Sequence, residues 1–117
     1  MNTSTYYDFG TAAERWVRAQ QFFDAQEYVA AARILEGLVA ETPDLVAPRL
    51  LLARAYYHSA RLRKAETQLL AVLERDPVEQ YARLMLGRTL ERQGRAAEAG
   101  PQLRMAAALA GEFPDSA

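Results

Sequence analysis

The side chains able to do covalent or acid–base chemistry are few and poorly placed for it. His58 is the only histidine, and cysteine is absent from the 117 residues. A thiolate nucleophile, a thiolate metal site and a disulfide framework therefore all lack their parts. Ser59 follows His58 directly, but neighbours on a helix point about 100° apart and do not face each other. The expected role of His58 is that of a polar residue at a helix end. Glu66, Glu74, Glu91 and Glu98 recur at helical intervals beside arginines, the pattern of a solvated face. Gly87, Gly94 and Gly100 are dispersed and build no glycine-rich phosphate loop. The residues point away from an enzyme, and neither a cofactor nor a metal is expected.

The sequence does show repetition. Arg49, Leu52, Ala53, Tyr56, Ala65, Leu69 and Pro77 have counterparts 34 residues earlier in Arg15, Arg18, Ala19, Phe22, Ala31, Leu35 and Pro43. Shifted forward by the same step they meet Arg83, Leu86, Gly87, Leu90, Ala99, Leu103 and Gly111. A fixed period of this length belongs to a helix–turn–helix unit that buries its apolar face by stacking on its neighbours. The spacing predicts helices over 12–25 and 28–41, 45–59 and 62–75, 78–93 and 96–110, in three antiparallel pairs. Thr11 with Glu14 makes a capping box for the first, and Thr42-Pro43 and Asp76-Pro77 stop the returns. Pro48 sits in a first turn, where no amide bond is lost. Pro101 is acceptable in a first turn and otherwise delays or bends the last helix.

These features resemble the tetratricopeptide repeat family, whose unit reads Trp-x2-Leu-Gly-x2-Tyr, then Ala-x3-Phe, then Pro. Leu52-Ala53-x2-Tyr56, Ala65-x3-Leu69 and Pro77 carry the likeness in the second copy, Leu86-Gly87-x2-Leu90 and Ala99-x3-Leu103 in the third. The family's Trp is replaced by Arg15, Arg49 and Arg83, a departure common to all copies. The resemblance implies an all-α fold, a right-handed α-solenoid of three antiparallel helix pairs. Its expected layout is an arm over 1–11, one domain over 12–113 (repeats 12–45, 46–79 and 80–113), and a tail over 114–117.

Small residues at Ala19, Ala53 and Gly87, and at Ala31, Ala65 and Ala99, let the paired helices approach closely. Arg18, standing where Leu52 and Leu86 stand, is expected to face water as a cap on the first repeat. At the far end Ala106, Ala107, Ala108 and Leu109 are expected to be thinly covered. Tyr6, Tyr7 and Phe9 predict either an arm packed over the first helix or one that binds a partner.

Half the chain is hydrophobic and the net charge is −1, enough for a stacked core and too little field to make nucleic acid or an acidic membrane a default partner. Residues 12–45 carry three arginines against six acids, 46–79 six basic residues against four, and 80–113 five against three. The start of the chain has no basic, apolar leader, and no stretch of about 18 apolar residues occurs. A cytoplasmic protein is expected.

The resemblance also implies where a partner sits, because in this family the first helix of each pair lines a concave groove that takes peptides or helices. The corresponding residues are Trp16, Val17, Gln20 and Phe23, then Leu50, Leu51, Arg54, Tyr57 and His58, then Tyr81, Leu84, Met85, Arg88 and Arg92. The family's carboxylate clamp needs Lys, Asn and Arg where this chain has Trp16, Gln20, Leu51, Tyr81 and Met85, so capture of a C-terminal carboxylate is disfavoured. The expected function is a protein–protein interaction module for an apolar or amphipathic, partly acidic segment. Apolar burial would supply affinity, and Arg54 and Arg88 would pair with acids. A self-assembling scaffold, with a second copy covering the apolar surface as a homodimer, is the alternative. Nucleic-acid stacking on Arg54, Arg88, Arg92, Tyr57 and Tyr81 comes third.

Overall fold

A computed structural model describes residues 7–111, which are helical with no strand among them. Six helices follow Tyr7–Gly10: α1 Ala12–Asp24, α2 Tyr28–Glu41, α3 Val46–His58, α4 Leu62–Arg75, α5 Gln80–Arg92 and α6 Ala96–Leu109. They fall into two compact units, whose described parts are residues 7–61 and 62–111. The first unit packs α2 between α1 and α3, and the second packs α5 between α4 and α6. The expected helix bounds hold to within two residues.

Local chemistry explains most ends. Thr11 accepts from the amide of Glu14 at 3.1 Å while the Glu14 carboxylate accepts from the amide of Thr11 at 3.1 Å, so two orphan donors of α1 are satisfied reciprocally. α5 is capped by Glu79, whose carboxylate accepts from the Ala82 amide at 2.6 Å. Each turn from a first helix to its return uses one device. Gln26, Ala60 and Gly94, 34 residues apart, all have positive φ, at 63°, 60° and 75°. The next residues, Glu27, Arg61 and Arg95, donate to Phe22, Tyr56 and Leu90 at 2.9, 2.8 and 2.9 Å. This six-to-one closure on a left-handed residue is the Schellman motif.

The arginines in the family's Trp position bridge repeats. Arg49 donates to the Pro43 carbonyl at 2.9 Å. Arg83 reaches the Pro77 carbonyl with two nitrogens at 3.1 and 3.0 Å, and Gln102 at 2.8 Å. Both tie the start of a first helix to the proline six residues before it. Arg15 has no such proline and pairs instead with Glu41 at 2.5 Å, 8% exposed.

In the first unit the core is Ala19, Ala31, Ile34, Leu35, Leu52, Ala53 and Tyr56, and in the second Ala65, Leu69, Val72, Leu86, Leu90 and Ala99. All six expected small positions are buried. At Gly87 the reason is explicit, since an added Cβ would lie 2.4 Å from Cδ2 of Leu103. Two expectations change. α6 starts at Ala96 and continues past Pro101, its sixth residue, so the proline neither lies in the first turn nor delays the helix, and the missing amide removes an interior hydrogen bond without ending it. Arg18 is covered rather than open to water. Its guanidinium lies 3.7 Å from the Phe9 ring centroid and donates to the carbonyls of Tyr7 and Phe9 at 3.2 and 2.9 Å.

Candidate partner-binding surface

Two helices of the first unit, α1 and α3, present parallel stripes at seven-residue reach. On α1 the stripe is Ala13, Trp16, Gln20 and Phe23; on α3 it is Ala47, Leu50, Arg54 and Tyr57. All eight are partly or fully exposed, although the spacing i, i+3, i+7, i+10 would suit a buried face equally. They stay accessible because the opposite sides of the same helices, Ala19 on α1 and Leu52, Ala55 and Tyr56 on α3, take the packing.

At the C-terminal ends of the stripes the rings gather. His58 stacks on Tyr28 with centroids 4.7 Å apart and planes 19° apart, and meets Phe23 and Tyr57 edge-on at 5.8 and 5.6 Å. Phe23 and Tyr28 make their own edge contact at 5.2 Å. Arg54 lays its guanidinium 4.6 Å from the Phe23 centroid, a cation–π arrangement that holds a long cationic side chain in place. The expected helix-end histidine is thus a member of an aromatic cluster. Ser59 is engaged elsewhere, donating to the Ala55 carbonyl at 2.7 Å.

At the N-terminal ends of the stripes lies a cavity of about 320 Å³. Ala12, Ala13, Trp16, Ala47 and Pro48 wall it, and Leu38, Thr42 and Leu45 complete it. Val17, 51% exposed, lies off the stripe in a shallower recess with Glu14, Arg18 and Gln21. Leu51 is only 8% exposed, which removes it from the accessible set.

In the second unit α5 repeats the pattern. Tyr81 is 38% exposed, Leu84 is half-buried, and Arg88 and Arg92 are exposed. Arg88 pairs with Glu91 at 2.9 Å on the surface. Met85, 9% exposed, lies on the packed side beside Leu86 and Thr89, and so offers a partner little area. Most of the expected surface residues are therefore accessible within their units, apart from Leu51 and Met85. Sequence reasoning missed Tyr28 and the wall residues Leu38, Leu45 and Pro48. Tyr28 was signalled only weakly, as an aromatic opening a return helix opposite the end of a first one.

Among the described residues no helix is long and apolar enough to cross a membrane, and no group of three or more His, Cys, Asp or Glu side chains could hold a metal.

A family model described as tetratricopeptide repeat matches residues 22–86. Among solved structures, one MamA mutant superposes with a TM-score of 0.80 at 22% identity, over 84% of this chain and 72% of that one. A second MamA mutant gives 0.78 at 22% identity, over 85% of this chain and 54% of its own, so this chain spans little more than half its length. At such identity the likeness concerns the fold. No curated protein matches the chain.

Proposed function

The chain belongs to the tetratricopeptide repeat family, and from that premise we propose that it is a non-enzymatic interaction module whose first-helix stripes hold an apolar or amphipathic, partly acidic segment of another protein. The observation that carries this reading is the accessible row formed by Trp16, Leu50, Phe23, Arg54, Tyr57 and His58, with a cavity at one end and an aromatic cluster at the other. Tryptophan, tyrosine and arginine are the residues that most often dominate interface energetics. The charge fits as well. α3 contains Arg49, Arg54 and His58 without an acid, and α5 has three arginines against one glutamate.

The test is Tyr57→Ala combined with Arg88→Ala. Both side chains are accessible, so the melting curve should move little, as surface substitutions usually stay within about ±0.5 kcal/mol. Affinity capture should lose the proteins held by the wild type. A stable double variant that retains them rejects the reading, and a loss of about 3 kcal/mol or more would return Tyr57 to the core.

Self-association is the second reading, favoured by α6. Met105 is 47% exposed there, and Leu103 is half-buried where its counterparts Leu35 and Leu69 are fully buried. Light scattering at tens of micromolar distinguishes a dimer from a monomer.

A further inference from the structure

We propose that the cavity between the first turns of α1 and α3 is the anchor subsite of this surface, taking one bulky apolar side chain from a segment that sets a carboxylate against Arg54 three or four residues away. The inference rests on the reading that these stripes hold a peptide, and it states which peptide they take.

The chemistry of the walls selects the anchor. Ala12, Trp16, Leu38, Leu45, Ala47 and Pro48 offer hydrocarbon. Apart from the Trp16 indole, the Thr42 hydroxyl is the only polar lining side-chain group, and it already donates to the Leu38 carbonyl at 2.6 Å. A polar side chain entering would lose its water with little in return. The volume of about 320 Å³ is roughly twice that of an engineered cavity that accepts benzene. Leucine, methionine or an aromatic ring fits, and one side chain fills it better than none.

Charge selects the second position. α3 has no acidic residue, and its Arg49 is turned to the Pro43 carbonyl. Arg54 lies on the same stripe as Ala47, seven residues further, which at 1.5 Å per residue is about 10 Å. An extended chain advances about 3.3 Å per residue, so three to four residues cover that distance. The α1 stripe beside it, Ala13, Trp16, Gln20 and Phe23, is uncharged. The guanidinium of Arg54, held against the Phe23 ring, keeps its positive charge whatever else it contacts, so a carboxylate is attracted there and a lysine in its place is repelled.

Trp16 is the only tryptophan and lines the cavity, so its emission reports binding at this end of the stripe, and filling the cavity from Ala47 separates entry into it from contact with the stripe. The probe is a nine-residue glycine–serine peptide, blocked at both ends and free of tryptophan, with leucine third and aspartate sixth, titrated into the full chain. A saturable change in Trp16 emission is expected, with affinity weakened about tenfold when leucine becomes alanine and again when aspartate becomes lysine. Ala47→Leu, which fills the cavity from an exposed helical position, should abolish the response with an unchanged melting curve; Ala12→Leu, from the opposite wall, should do the same. Binding heat with silent Trp16 and unimpaired Ala47→Leu would overturn the anchor assignment while leaving the interaction module intact. Absence of both heat and emission change up to millimolar peptide would overturn the proposal as well, and the Tyr57/Arg88 variant then judges the broader reading separately.

Discussion

Gln26, Ala60 and Gly94 occupy one backbone conformation with three different side chains, φ 63°, 60° and 75°. Only glycine enters that region without a steric cost, which for other residues is about 1–2 kcal/mol. Gly94→Ala should therefore destabilise by about 1 kcal/mol, and Ala60→Gly should stabilise by less than that, since glycine loses more backbone entropy on folding. Thermal melting of both checks the sign, and a neutral Gly94→Ala would mean that the turn relaxes into another conformation. The same residues show what the sequence hides, because neither glutamine nor alanine signals a left-handed residue, and only the third copy has a glycine there. Tyr56 gives a second expectation at this scale. Burial, then the charge and hydrogen bond of Glu36, push its hydroxyl up to about 12 from an ordinary value near 10, against a smaller opposing effect of Arg61. A folded state that favours the neutral hydroxyl draws its full benefit below pH 10 and loses it as pH climbs toward 12. Tyr56→Phe should abolish that part of the alkaline loss of stability, measured as the difference in denaturation midpoint between pH 9 and pH 12.

Helices were legible where capping and period agreed. α2 and α4 match their expected bounds, and α1 begins at its capping box, because proline and Thr-x-x-Glu act through the local backbone alone. α6 was less legible, since packing of Ala99 and Ala106 against α5 outweighs the interior amide lost at Pro101. The replacement of the family's Trp by arginine has a physical account that periodicity could not supply. Arg49 and Arg83 each hold the carbonyl of the proline six residues back, which fastens one helix pair to the entry of the next. Arg83→Lys keeps the charge but loses the forked geometry, and should cost about 0.5–1.5 kcal/mol, the net worth of one hydrogen bond; urea denaturation of the two proteins measures it. On α4, burial pushes the Glu66 carboxyl up, but hydrogen bonds from Arg95 and Gln93, which lie in the turn after α5, pull it down further, leaving it below its usual range.

Across the molecule, the accessible surface is made from what the packing leaves over. One side of each first helix carries alanine, glycine and leucine into the core, and the other side keeps Trp16, Phe23, Leu50, Arg54 and Tyr57 within reach of a partner. The stripe carried over from the family resemblance does not separate Leu50 from Leu51 or Leu84 from Met85, although the second of each pair is buried and the first is partly exposed. Those pairs differ by one helical step of about 100°, and helix rotation within each unit decides which member is covered. The cavity was invisible for a related reason, because its walls come from α1, the end of α2, the loop after it and the first turn of α3. The central claim is that the α1–α3 stripe contacts another protein while the outer side of α2 does not. Photo-crosslinking from a benzoylphenylalanine placed at Gln20, compared with one at exposed Ala40 on α2, tests it most directly in living cells. A discrete adduct with a different protein from position 20 and none from position 40 is the predicted result; adducts from position 40 alone, or from neither position, would contradict it.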